Sequence, residues 1–333
     1  MKALTFLLTL LLVQFAGAQN KYTTFGTGPK ASWFSVAAIN DSGQVLGWWS
    51  TNGEAFVISP GDVWTKNIVK TTGGGAGSVT MNNAATIVGT EAPSNQAFYK
   101  PWGQAAQQLR LGNQASASAI NTAGYIAGEI PEIQHVYQVG ELYLELPNES
   151  LVYVVLPQGG LAINGTMGLN NLNQVVGSWL NSLTPWSGFF YDNTSGQLNT
   201  AFNMPGAVRT YPVSINDSQE VVGNWFDANN VEHGFYWNST AGFSDIDVTG
   251  DTSMYIVGIN NQSVILGVWV DANTPRKNHC VTIVNGQPTA SINVPKSLPG
   301  STFGMAINNV GQVAGQYETK EGVLRGFIYT PSK

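Results

Sequence analysis

One spacing recurs seven times in this chain: an asparagine followed, seven residues later, by a glycine. The asparagines are Asn40, Asn82, Asn121, Asn170, Asn216, Asn260 and Asn308, and the glycines are Gly47, Gly89, Gly128, Gly177, Gly223, Gly267 and Gly315. Successive asparagines lie 42, 39, 49, 46, 44 and 48 residues apart. A period of this size marks a repeat architecture whose units bury their faces against each other, and it falls where four-stranded propeller blades lie. Composition decides between strands and helices. The sequence has 38 glycines and only 10% charged residues against 43% hydrophobic ones. Its Val, Thr, Tyr and Trp favour strands joined by tight turns.

The fifth copy, "SINDSQEVVGNW" from Ser214, shows how a unit divides. Strand A is expected over Tyr211–Ile215, B over Val221–Phe226, C over Gly234–Trp237 and D over Phe243–Val248. Asn216 opens the A–B turn and caps it with its own side chain, and a left-handed residue is expected three positions later. Gly43, Gly124 and Gly311 fill that later position in three copies and Asn173 in a fourth. The residue before each asparagine is large and apolar, as in Ile39 and Ile215, and the one before that is small, as in Ala38 and Ser214. The small column implies that strand A is innermost, crowded around a central channel. The repeat glycine in strand B implies close approach, expected from an aromatic ring of a neighbouring blade.

The chain ends support closure of a ring. The seventh unit stops after "RGFIYTPSK" with no fourth strand, while "KYTTF" at Lys21–Phe25 has the character of one. The expected fold is an all-β, seven-bladed propeller over residues 19–333, closed by an N-terminal strand that completes the last blade. Residues 1–18 read as a signal peptide: Lys2, an apolar run from Ala3 to Val13, then Ala16-Gly17-Ala18 before Gln19. A secreted or periplasmic protein follows from that reading. Cys280 is the only cysteine, so no internal disulfide is available. A formal charge of -6 with 14 Lys and Arg argues against nucleic acid, and the rest of the chain has no segment suited to membrane insertion. A monomer without cofactors is expected.

The units resemble those of the HAF-repeat proteins, exported and mostly bacterial. Their repeats run roughly as an "AIN-D-x-G-x-V-V-G" segment followed by "His-Ala/Gly-Phe". "EHGFYW" at Glu232–Trp237 matches the second segment best, with looser copies such as "QAF" at Gln96 and "RGF" at Arg325. The resemblance implies export and repeat class and carries no shared reaction.

Candidate functional residues follow from this geometry. His135, His233 and His279 share one column on separate blades, which points to a repeat-dictated hydrogen-bonding role rather than a shared metal site. Asp227 with Asn229 and Asp271 with Asn273 have a D-x-N spacing but lack the remaining ligands of a calcium loop. Trp49, Trp179, Trp225 and Trp269 all stand two residues after the repeat glycine, which assigns them to packing. "TTGGGAG" at Thr71–Gly77 reads as a flexible D–A connection. The B–C loops and D–A connections share one face, which should carry function, with the longer B–C loops on blades four to seven. The expected ligand-binding set there is Trp186, Tyr211, Asp227, Tyr255, Asp271 and Arg276, and the expected ligand is a polysaccharide or cell-surface glycan. Two alternatives stand beside it. One is a lyase-like enzyme using His233, Tyr211 and Arg209, and the other a propeller that only contacts proteins.

Overall fold

Every strand pairing among the described residues is antiparallel, and these pairings gather into seven separate sheets, which follow from the seven copies of the turn. The computed structural model describes residues 20–26, 33–49, 54–61, 67–69, 75–92, 94–109, 111, 114–134, 137–148, 150–157, 160–163, 167–181, 185–246, 251–271 and 277–332. The signal-peptide reading falls outside these residues. Blade five has strand A at Arg209–Ile215, B at Val221–Phe226, C at Glu232–Asn238 and D at Gly242–Ile246. The other blades repeat this order. In blade four strand A is split into Gly160–Ile163 and Gly168–Leu169, both paired to Gln174–Asn181.

The ring closes as the ends of the chain imply. Lys21–Phe25 pairs antiparallel with Leu324–Thr330, setting Lys21 opposite Thr330 and Phe25 opposite Gly326. Phe25 is buried at 3% exposure, its ring over the bare backbone of Gly326. The first strand is therefore the outer strand of the last blade, and its apolar residue anchors the seam.

The core is not one mass. It forms seven apolar layers, one at each junction between adjacent blades. Leu142 and Val175 share the layer between blades three and four, and Val222 and Ile256 the layer between five and six. Strand alternation produces this: each blade presents apolar residues on both faces, so each is buried only by having a neighbour on both sides.

The turn chemistry holds in all seven copies. Asn216 Oδ1 accepts from the backbone N–H groups of Ser218 and Glu220 at 3.0 and 2.9 Å. The third residue after each asparagine has a positive φ, whether glycine (Gly43, 74°) or not (Ala85, 57°; Asn173, 62°; Gln219, 62°; Ser263, 58°). The small column is crowded as expected: a Cβ on Gly168 would meet the backbone of Ser214 and Ile215 on the next blade's inner strand.

Two expectations are corrected. The ring over the strand-B glycine comes from the same blade, because that glycine pairs directly with the aromatic residue of strand C: Gly47 with Phe56, Gly89 with Phe98, Gly177 with Phe189, Gly223 with Phe235, Gly315 with Phe327. The two halves of the repeat motif are therefore two sides of one contact. "TTGGGAG" is only partly a connection, since strand A of blade two begins at Gly75. The B–C connections are longer in blades four to seven than in blades two and three, as expected, and in blade three strands B and C themselves extend over Ile126–Gln134 and Tyr137–Glu145.

Candidate functional site

The two mouths of the central channel are built differently. At the mouth formed by the A–B turns, six of the seven repeat asparagines donate across to the next blade. Asn82 Nδ2 donates to the backbone oxygen of Asn121 at 2.9 Å, Asn121 to Asn170 at 3.1 Å, and Asn170 to Asn216 at 3.0 Å. Asn216 donates to Asn260 at 3.1 Å, Asn260 to Asn308 at 2.9 Å, and Asn308 to Asn40 at 2.8 Å across the chain ends. A second belt comes from the following residue. Asp217 Oδ1 accepts from the Asn171 N–H at 2.8 Å, and Asp41 Oδ1 from the Asn309 N–H at 2.8 Å. Neighbouring amides cover both carboxylates: Asp217 Oδ2 accepts from Asn171 and Asn261, and Asp41 Oδ2 from Asn83 and Asn309. The channel space behind this mouth is about 360 Å³. Its polar ring is a clasp between blades, with carboxylates already satisfied.

The sequence assigned these asparagines only to turn capping. A signal for the clasp was present. Aspartate caps such a turn equally well, yet all seven copies have asparagine, the side chain that supplies a donor as well as an acceptor.

The opposite mouth holds an aromatic cleft between blades five and six, about 300 Å³, lined by Ser178, Tyr211, Pro212, Val213, Asn224, Phe226, Glu232 and Tyr255. Register explains the grouping. Arg209 pairs with Phe226 and Phe226 with Glu232, while Tyr211 pairs with Asn224. Alternation places all five on the blade surface that faces blade six. Asn224 fixes the floor, donating to the Ile256 oxygen at 3.3 Å and accepting from the Ile256 N–H at 2.7 Å. The Arg209 guanidinium lies 4.3 Å above the Phe226 ring and donates to Asn230. Tyr211 packs at 6.0 Å from Trp186 and 5.8 Å from Phe226. Burial raises the Glu232 carboxyl above its ordinary range, partly countered by Arg209. Burial likewise raises the Tyr211 phenol, again with Arg209 opposing.

Of the expected ligand-binding residues, Trp186, Tyr211 and Tyr255 meet at this cleft. Asp227 does not join them. Its Oδ1 accepts from the Asn229 and Val231 N–H groups at 2.9 and 2.8 Å, closing the B–C turn, and the Val231 bond leads in holding its pKa below the usual carboxylate value. Asp271 ends strand B of blade six, its side chain outside what is described, and Arg276 and Asn273 lie outside the described residues altogether.

The expected enzymatic trio is divided by the sheet. His233 pairs with Trp225, and Trp225 with Thr210, so His233 points to the blade-four side while Arg209 and Tyr211 point to the blade-six side. His233 stacks on Trp225 at 4.5 Å, with Nε2 3.7 Å from Asp227 Oδ2, and His279 stacks on Trp269 at 4.2 Å. His233 and His279 thus occupy the same place in their blades, each stacked on the tryptophan of its paired strand, and His135 lies outside the described residues. Among the described residues no group of His, Cys, Asp and Glu is arranged to hold a metal ion. Glu232, one residue from His233, is the charged group the sequence reading passed over.

No family model and no curated protein matches this sequence. Solved structures do. A streptogramin B lyase is 13% identical, with a TM-score of 0.63 over 93% of this chain and 98% of its own. Virginiamycin B lyase from Staphylococcus aureus is 8% identical, with a TM-score of 0.63 over 94% of this chain and all of its own (100%). The propeller domain of the Trilobed protease from Pyrococcus furiosus is 7% identical, with a TM-score of 0.61 over 89% and 96%. At such identities the likeness is one of fold. The chain is a seven-bladed β-propeller.

Proposed function

We propose that this protein is an exported binding module of the HAF-repeat kind, and that it takes a glycan in the cleft between blades five and six. One observation carries the reading: Tyr211, Phe226, Trp186 and Tyr255 gather at one mouth around a single Arg209 and a single Glu232. Aromatic faces stack on the apolar faces of sugar rings, while a charge-balanced pair of polar groups supplies hydrogen bonds to hydroxyls without selecting for net charge. The N-terminal apolar run followed by Ala16-Gly17-Ala18 supports export.

The experiment is a glycan-array screen of the purified protein, followed by titration of the best binder against Tyr211→Ala. Loss of one stacking ring is expected to weaken binding by about tenfold. Retained affinity in Tyr211→Ala sinks the assignment of the cleft. Release of an unsaturated sugar, followed by absorbance, would instead make the protein a lyase. That chemistry would have to run without His233, which faces the other side of the blade.

A further inference from the structure

Strand A begins at the loop-face mouth in every blade, and the residue five positions before the repeat asparagine marks its rim. In blades five, six and seven that residue is Tyr211, Tyr255 and Phe303, whereas in blades two and three it is Gly77 and Ser116. The pairings show that the three aromatics are structurally equivalent. Tyr211 faces Asn224, Tyr255 faces Val268 and Phe303 faces Gln316, each partner being the residue after the strand-B glycine. In blade one the same pair is Ser35 and Trp48, so the aromatic ring moves to the partner strand. Trp33 joins it there, edge to face at 5.2 Å.

Blade seven adjoins blade one through the closed seam, so blades five, six, seven and one are consecutive around the ring. Three consecutive blades thus have an aromatic residue at one position of strand A and the fourth a tryptophan pair beside it, while blades two and three have small residues there. Tyr255 is 51% exposed and Trp33 42%. A repeated, one-sided row of stacking surfaces suits a ligand that itself repeats. A single sugar residue would use one slot and leave the rest without purpose.

We propose that the ligand is a linear polysaccharide laid along this arc, with successive sugar units stacked from the Tyr211 cleft to the Trp33–Trp48 pair. The proposal rests on the glycan reading above and extends it from the Tyr211–Tyr255 cleft to two further positions, Phe303 and the Trp33–Trp48 pair. A single-stranded nucleic acid would also stack on aromatic rings, but the net charge of -6 opposes a phosphate backbone.

The test is calorimetric titration of the full protein with cellulose, chitin and xylan oligomers, from disaccharide to octasaccharide, and with a proline-rich peptide. Affinity for the binding series is expected to rise about tenfold between disaccharide and hexasaccharide, since each added stack contributes a few-fold. Trp33→Ala should weaken hexasaccharide binding about five- to tenfold and leave the disaccharide unchanged, with Trp33→Phe restoring most of the loss. Tyr211→Ala should weaken both. Affinity independent of chain length, with disaccharide binding intact, overturns the arc and leaves the single cleft standing. No binding to any oligomer overturns both readings. Trp33-dependent binding of the peptide reassigns the arc to polypeptide and overturns the proposal.

Discussion

Asn216 does two jobs that a shorter list of side chains could do separately. Its oxygen closes the turn onto Ser218 and Glu220, and its amide donates to the carbonyl of Asn260 on the next blade. Asn82 is the cleaner place to test this, because its amide donates to the Asn121 carbonyl while its oxygen caps the turn: Asn82→Asp keeps the acceptor and removes the donor, so it isolates the clasp from the cap. With a buried carbonyl left facing a carboxylate, a loss of about 1–3 kcal/mol is expected in urea denaturation at neutral pH. A loss no larger than a surface substitution would show that the inter-blade bond contributes nothing. Glu220 offers a second test. Burial alone would raise its pKa, but hydrogen bonds from Ser263, Tyr236 and Asn216 bring it below the ordinary value. A carboxyl depressed in the folded state stabilises above its unfolded pKa and loses that contribution as pH falls through the folded value. Glu220→Gln should therefore flatten the fall in urea midpoint between about pH 5 and pH 3. The substitution should fold, because Gln44, Gln174 and Gln312 already accept from Asn40, Asn170 and Asn308 at the equivalent positions.

At the scale of strands, the outermost strand of the last blade is short but anchored. Phe25→Ala removes a ring buried between Gly326 and Phe34, and a core truncation of this size costs about 3–5 kcal/mol. Thermal unfolding should shift accordingly, whereas Tyr22→Ala on the same strand, a partly buried ring 5.4 Å from Tyr329, should cost less. Equal shifts would mean that the backbone pairing alone holds the seam. Register also explains what the sequence made legible. The strand boundaries of blade five were readable because the turn and the glycine recur, and strand B matches Val221–Phe226 as expected. The composition of the cleft was not, because one residue of displacement along strand C exchanges its two faces. Glu232 and His233 are neighbours in sequence, yet one lines the cleft and the other lies under Trp225. Nothing in the pattern of residue types states which parity faces which blade. Tyr211 and Tyr255 were recoverable because strand A was already placed innermost, where its first residues must rim the channel. Asp227 misled because an aspartate that caps a turn and one that meets a ligand look alike in sequence.

For the molecule as a whole, the two mouths divide the work. One is tied shut by side-chain amides, and the other keeps its rings at the rim of an open cleft. The hydrogen bond that crosses the chain ends, Asn308 to Asn40 at 2.8 Å, is no longer than those between blades joined by peptide, at 2.9–3.1 Å. The clasp thus makes no distinction between blades that follow one another in sequence and blades that meet only in space. The seam between blades seven and one is not marked out by this clasp. Joining the present termini and opening the chain at another D–A connection would give a circular permutant with the same belts and the same arc of rings. Where translation starts is, for this fold, a matter of history.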